Sequence, residues 1–194
     1  MGLLLIEQAF NGLQFGVMLF LIAAGLTLVF GIMDLVNLSH GSLVMVGAYL
    51  ATTLIEWTGS FILGILLALP STFLVGVVVE IVVLRTLYER DHLDQVLATF
   101  GLILFFNELI RIVWGPASLY SGLPESISGH VEILPGVPYP AFRLLIILVG
   151  LLVALLIYFI VARTKLGMLI RAGASNREMA GALGVNIRML FTLV

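Results

Sequence analysis

The stretch RTKLGMLIRAGASNREMAGALGVN, residues 163–186, lies between two apolar runs and holds four of the nine basic residues, five with Arg188 just beyond it. Its ends read as those of a short helix. Ser175 with Glu178 three residues on forms a capping box, in which each side chain serves the other residue's backbone N–H. Gly184 closes the segment, since glycine enters the left-handed conformation that other residues resist. Met179, Ala180 and Leu183 fall on one face, because residues three and four apart are helical neighbours. A short capped helix with a small apolar face, on the basic side of a membrane protein, suits a partner's groove. It suits equally a helix resting on lipid headgroups. Spacing alone leaves both open.

Working outward, the rest of the chain is apolar. Of 194 residues, 61% are hydrophobic and 10% charged, with a mean hydropathy of +1.21. A soluble domain is about half apolar and a quarter charged, so the composition indicates a polytopic membrane protein. The net charge of -2 gives no sign of a nucleic-acid partner. There are no cysteines, which excludes disulfides and thiolate metal sites, and His40, His92 and His130 stand in three separate segments without ligand spacing. No metal site and no catalytic group is expected. The N-terminus lacks a basic region and a cleavage site, so its first apolar run is expected to be a retained span.

Spans of about twenty apolar residues are expected near Phe10–Met33, Leu35–Ile55, Phe61–Leu84, Val96–Trp114 and Phe142–Val161, with a sixth beginning at Ile187 and cut off at Val194. Gly115 to Pro140 holds five of the six prolines and no Lys or Arg, and is expected to be an irregular loop. Arg85 and Arg90 flank one loop, and Arg163, Lys165, Arg171, Arg177 and Arg188 crowd another. The positive-inside rule then makes loops 85–95 and 163–186 cytoplasmic and puts the N-terminus outside. Asn11-Gly12 and Gly16 have the spacing that lets helices approach closely. Glu80 has Arg85 nearby and can snorkel or pair. Glu108 and Arg111 are helical neighbours, expected to be a local pair.

A second stretch interrupts the apolar pattern. In GIMDLVNLSHGSLVMVG, residues 31–47, Asp34, Asn37, Ser39, His40 and Ser42 fall within an otherwise apolar region. Glycines 31 and 41 can break a helix, and Asn or Ser can cap its restart. Such irregular backbone is tolerated at membrane depth only where protein buries it or it lines a cavity. A half-helix restarting there would aim N–H groups and a positive dipole end at a substrate carboxylate. The alternative is a plain cytoplasmic turn with Asp34 and His40 solvated.

GIMDLVNLSHGSLVMVGAYL, residues 31–50, resembles the N-terminal signature of the permease subunits of branched-chain amino-acid ABC importers, the paralogue with the NLSHG-type motif. Residues 163–186 resemble the cytoplasmic loop by which that family docks on its ATPase. The resemblance implies an all-α, polytopic membrane bundle with a discontinuous second transmembrane helix and a cytoplasmic coupling helix, a single permease domain over residues 1–194. By position, Asn37, Ser39, His40, Gly41 and Ser42 match the family's broken-helix translocation path. Gly167, Arg171, Ala172, Ser175, Glu178, Met179, Ala180, Leu183 and Gly184 fall in its coupling loop. The implied partners are a second, paralogous permease, two ATPase subunits, an external substrate-binding protein and membrane lipid. The implied location is the cytoplasmic (inner) membrane of a bacterium or archaeon. Family members continue for several more spans, so this chain is expected to be truncated or a fragment and not to transport alone.

The residues agree that energy comes from elsewhere. The only lysine, Lys165, stands between Thr164 and Leu166 and belongs to no Gly-Lys-Ser/Thr phosphate loop, so ATP-Mg is expected on the partners and no cofactor on this chain. The leading expectation is therefore a non-catalytic importer subunit for branched-chain amino acids or related small amino-acid-like solutes. The rival is an ion-coupled secondary transporter with Asp34, His40 or Glu108 carrying protons; a purely structural membrane subunit comes third.

Overall fold

Apolar runs this long, poor in charge, satisfy their backbone in lipid as helices, and helices account for most of the chain. The computed structural model describes residues 2–88, 90–117, 119, 122–134 and 137–193. Val194, where the expected sixth span ends, and residues 118, 120, 121, 135 and 136 of the expected loop lie outside the described residues. Helix α1 covers Gly2–Met33, α2 His40–Thr58 and α3 Phe61–Val79; a π-turn, Glu80–Leu84, joins α3 to α4, Arg85–Leu87. Helix α5 covers His92–Trp114, α6 Glu125–Ser128, α7 Ala141–Arg163, α8 Lys165–Ser175, α9 Arg177–Ala182 and α10 Ile187–Leu193.

Among the described residues, four helical stretches are long and apolar enough to cross a membrane: Leu4–Gly31, Phe61–Leu87, His92–Trp114 and Ala141–Arg163. In the last, 11% of the most apolar window is buried within the chain, so its outer surface needs lipid or a partner. The expected span at 35–55 is not among them, and the stretch expected to begin a further span at Ile187 is helical up to Leu193. Helix α2, 19 residues, is about 28 Å long, but His40, Ser42, Thr52, Thr53 and Glu56 dilute its apolar character. Helix α10 has seven residues.

The chain divides into two compact units, one of Met1–Gly25 with Leu123–Arg171, the other of Leu26–Gly122 with Ala172–Val194. In the first, the expected irregular loop instead carries α6 and an antiparallel hairpin, β1 (His130–Leu134) with β2 (Val137–Pro140). Tyr139 of β2 is wholly buried against the ring of Phe10, and its hydroxyl donates to Asn11 Oδ1 at 3.0 Å. Arg143 Nη1 donates to the same oxygen at 2.6 Å. Asn11 thus accepts polar contacts, and no neighbour stands within 4 Å of a Cβ placed at Gly12 or Gly16. The close approach expected there occurs instead at Gly150, where a Cβ would collide with Val17.

In the second unit, α2 and α3 form a helical hairpin around Gly59, whose φ of 63° ends α2, and Ser60, whose hydroxyl accepts the Leu63 N–H at 3.5 Å. Helix α5 lays the stripe Gln95, Thr99, Leu102, Phe106 and Ile110 inward. Its far end is tied to α2 by Trp114, whose Nε1 donates to Thr53 Oγ1 at 2.8 Å while its ring contacts Tyr49.

Candidate functional site: the interhelical break and the short capped helix

The polar segment 31–47 does interrupt the helical run, but between two helices: α1 stops at Met33 and α2 runs unbroken from His40. Asp34 ends α1 with φ 52°, the non-glycine positive φ among the described residues. Aspartate tolerates that conformation, and the next residue, Leu35, is fully buried, as an apolar residue two beyond a helix end commonly is. Asn37 Oδ1 accepts the Ser39 N–H at 3.0 Å and the Ser39 hydroxyl at 2.7 Å. This local turn starts α2. It also departs from the expected aimed N–H groups, because the Asn37 side chain takes the first of them.

The backbone of the break is satisfied by α5. Gln95, 2% exposed, accepts the Val36 N–H on Oε1 at 3.2 Å and donates through Nε2 to the carbonyls of Leu87 and Arg90 at 3.2 and 3.1 Å. Thr99, 0% exposed, donates to the Val36 carbonyl at 3.3 Å and to that of Gln95 at 2.7 Å. The irregular backbone at Val36 is thus held by two buried side chains of α5. Sequence reasoning missed both residues; the available signal was two polar side chains at i and i+4 on an apolar helix.

Beside the break lies a cavity of about 250 Å³, walled by Met33, Leu43, Phe73 and Val77 with Asn37, His40 and Glu80 at its polar edge. Of the five path residues expected from sequence, Asn37 and His40 line it. Ser39 and Ser42 are buried away from it, and Gly41 is exposed.

Glu80 is itself 5% exposed, so it pairs and does not snorkel. The π-turn makes this possible: Arg85 sends its backbone N–H to the Glu80 carbonyl, the i+5 bond of that geometry, and residues five apart come together. Arg85 Nε and Nη2 then donate to the two Glu80 oxygens at 3.2 and 3.0 Å. The Tyr88 hydroxyl donates to Oε1 at 2.9 Å, and that of Thr192, on α10, to Oε2 at 3.2 Å. Burial first, then the bond to Glu80, push the Tyr88 phenol above the ordinary tyrosine range, so it stays a donor at neutral pH.

The basic stretch 163–186 begins its new helix after Thr164, whose hydroxyl accepts the Gly167 N–H at 3.1 Å. A Cβ at Gly167 would collide with the carbonyls of Ile160 and Val161, and the Arg171 guanidinium donates to Val161 O. Ala172 and Ser175 are exposed on α8. The expected capping box is displaced by one residue: Ser175 remains inside α8, and Asn176 caps α9, its Oδ1 accepting the Met179 N–H at 2.8 Å. Asparagine caps as well as serine, and Asn176 holds extended backbone while Ser175 stays helical. At the other end Gly184, φ 88°, gives its N–H to Gly181 O at 3.0 Å and Val185 gives its own to Ala180 O at 3.1 Å, a Schellman closure. The expected face divides: Ala180 is 4% exposed and turned inward, whereas Met179 and Leu183 are 60% and 79% exposed.

Both segments meet at one cleft. An open cleft of about 870 Å³ has Asp34 from the break, Arg85, Arg90, His92 and Gln95 from the α4–α5 region, and Glu178 from α9 on its walls. Glu108 lies apart, 4.0 Å from Arg111 on the exposed surface of α5, so the expected local pair forms and Glu108 lines neither cavity.

A family model described as the permease component of the branched-chain amino acid transport system matches residues 8–194. The chain is 28% identical over 201 residues to the high-affinity branched-chain amino acid transport system permease protein BraD of Pseudomonas aeruginosa, covering 97% of this chain and 65% of the relative. It is 26% identical over 202 residues to the permease protein LivH of Escherichia coli K12, with the same coverage. A probable branched-chain amino acid transport permease protein LivH of Methanocaldococcus jannaschii is 28% identical over 185 residues, 88% of this chain and 55% of the relative. The chain thus spans 65% of the length of the first two of these curated relatives. No solved structure matches it.

Proposed function

This chain belongs to the permease-component family of branched-chain amino acid transport systems, and on that premise we propose that it is the membrane-spanning, non-catalytic subunit of an ABC importer. Its solutes are branched-chain amino acids or related small amino-acid-like molecules, handed over by an external binding protein. It pairs with a second, paralogous permease, and two ATPase subunits carry the ATP-Mg. The match over residues 8–194 is the observation that carries this reading.

The mechanism follows from the parts. In the cytoplasmic membrane, with the N-terminus outside and loops 85–95 and 163–186 inside, α9 presents Met179 and Leu183 to a groove of the ATPase. Caps at Asn176 and Gly184 keep so short a helix formed, which isolated helices of this length are not. ATP-driven closure of the ATPase pair moves α9. The irregular link between α1 and α2, residues 34–39, and the cavity beside it open in turn to either side of the membrane. Asn37 and His40 offer polar contacts along the path beside an apolar wall, while selection rests mostly with the external binding protein.

The test is recovery of the full-length chain in gentle detergent, mass spectrometry of its companions, and uptake of labelled leucine in proteoliposomes. Co-recovery of a Walker-motif ATPase and a second permease, with ATP-dependent uptake, is the expected result. A chain recovered alone that moves solute with a proton gradient overturns the reading.

A further inference from the structure

A buried carboxylate in a spanning helix needs an explanation, and Glu80 has one that the path and the docking face do not use. It receives three side chains from two directions. Arg85 and Tyr88 lie beyond the π-turn on its own helix, and Thr192 lies on α10. The Thr192 hydroxyl also accepts from Arg85 Nη2 at 3.1 Å, so α10 enters the ion pair on both sides. A second contact runs beside it: the rings of Tyr88 and Phe191 meet edge to face at 4.9 Å. Phe191 and Thr192, with Glu80 and Leu84 of the π-turn, also line the cavity that holds Asn37 and His40. Helix α10 follows α9 after the Gly184 turn, a short tether whose Val185 N–H is bonded back to Ala180.

We infer that Glu80, Arg85 and Thr192 are positioning residues that transmit displacement of the cytoplasmic helix to the cavity wall, the ion pair acting as a latch on the π-turn. The chemistry suits a two-state element. In α-helical geometry neighbours lie three and four apart, so tightening the π-turn by one residue separates Glu80 from Arg85. A pull on α10 through Thr192 loads the pair that holds the wide turn, and the wall bearing Glu80 and Leu84 moves with it. This inference rests on the importer reading for what drives α9.

Residues 1–194 hold no cysteine, so once any cysteine elsewhere in the full-length chain is replaced by serine a single introduced thiol serves as reporter. Leu43→Cys, on the cavity wall, is placed in the full-length chain within the complete complex in proteoliposomes, and maleimide labelling is followed by the mass of this chain. Labelling rates with and without a non-hydrolysable ATP analogue are expected to differ about fivefold or more, the usual scale of coupled sites. Adding Glu80→Gln, or separately Thr192→Val, brings that difference below about twofold while ATPase subunits still co-purify. A merely structural role would lower assembly and leave the nucleotide response of the assembled fraction intact; that result overturns the latch. Thr192→Val keeps the ion pair and decides the matter if Glu80→Gln does not assemble. Wild-type chain recovered without any ATPase overturns the importer reading, and the inference with it.

Discussion

Gln95→Leu is the sharpest test of how the break is held. The substitution keeps the volume of the side chain and deletes its three hydrogen bonds to the backbone of Val36, Leu87 and Arg90. The Arg90 carbonyl lies at an exposed residue and regains water, whereas the Val36 N–H is left facing a leucine. Leaving this part-buried donor unsatisfied costs at most about 1–3 kcal/mol, equivalent to at most about 5- to 150-fold in a local opening equilibrium. Hydrogen exchange of the 33–42 segment in detergent or nanodiscs reads that factor directly, and exchange is expected to accelerate within that range while the α2–α3 hairpin stays protected. Thr99→Val supplies the comparison. Its strong bond is to Gln95 O within the same helix and its reach to Val36 is longer, so it should change exchange less than Gln95→Leu does. Unchanged exchange at 33–42 in Gln95→Leu, or a larger effect from Thr99→Val, refutes the clamp.

Other outcomes follow from the same geometry. Met179→Glu with Leu183→Glu, on the exposed face of α9, should abolish co-purification of the ATPase while membrane insertion is unchanged; retained association removes the docking assignment. Asn176→Ala should destabilise α9 by about 0.5–2 kcal/mol, seen as faster proteolysis of 176–184. Ser175→Ala should be near neutral, the reverse of the order a Ser175 capping box requires. Gly64→Ala would put a Cβ 2.6 Å from Ile55 Cα and 2.7 Å from its N, and should cost about 1–3 kcal/mol by overpacking, measured as a lower thermal midpoint in detergent.

The helical class and the places of the polar break and the short capped helix were legible because they are written in local pattern: apolar run length, glycine at Gly184, and clustered arginines. The cap on α9 was misassigned by one residue, because Ser175 and Asn176 are adjacent and equally able cappers, and only the backbone decides which leaves the helix. The hairpin at 130–140 was hidden by its prolines, which read as loop although Pro138 and Pro140 sit on one two-stranded ribbon, where edges tolerate them. The π-turn was not legible at all. An i+5 acid–base spacing is no signal in an α-helix, and only Thr192, over a hundred residues away, completes its reason for being there.

The contact between Asn11 and Tyr139 has a consequence for biogenesis. The two residues are 128 apart in sequence, and at about 5–20 residues per second the ribosome takes about 6–25 s to deliver the tyrosine after the asparagine. Throughout that interval the first helix carries a polar amide that its eventual partners have not reached. A translocon or insertase that shelters Asn11 for those seconds would determine whether the helix commits to the bilayer early or waits for the hairpin to cross.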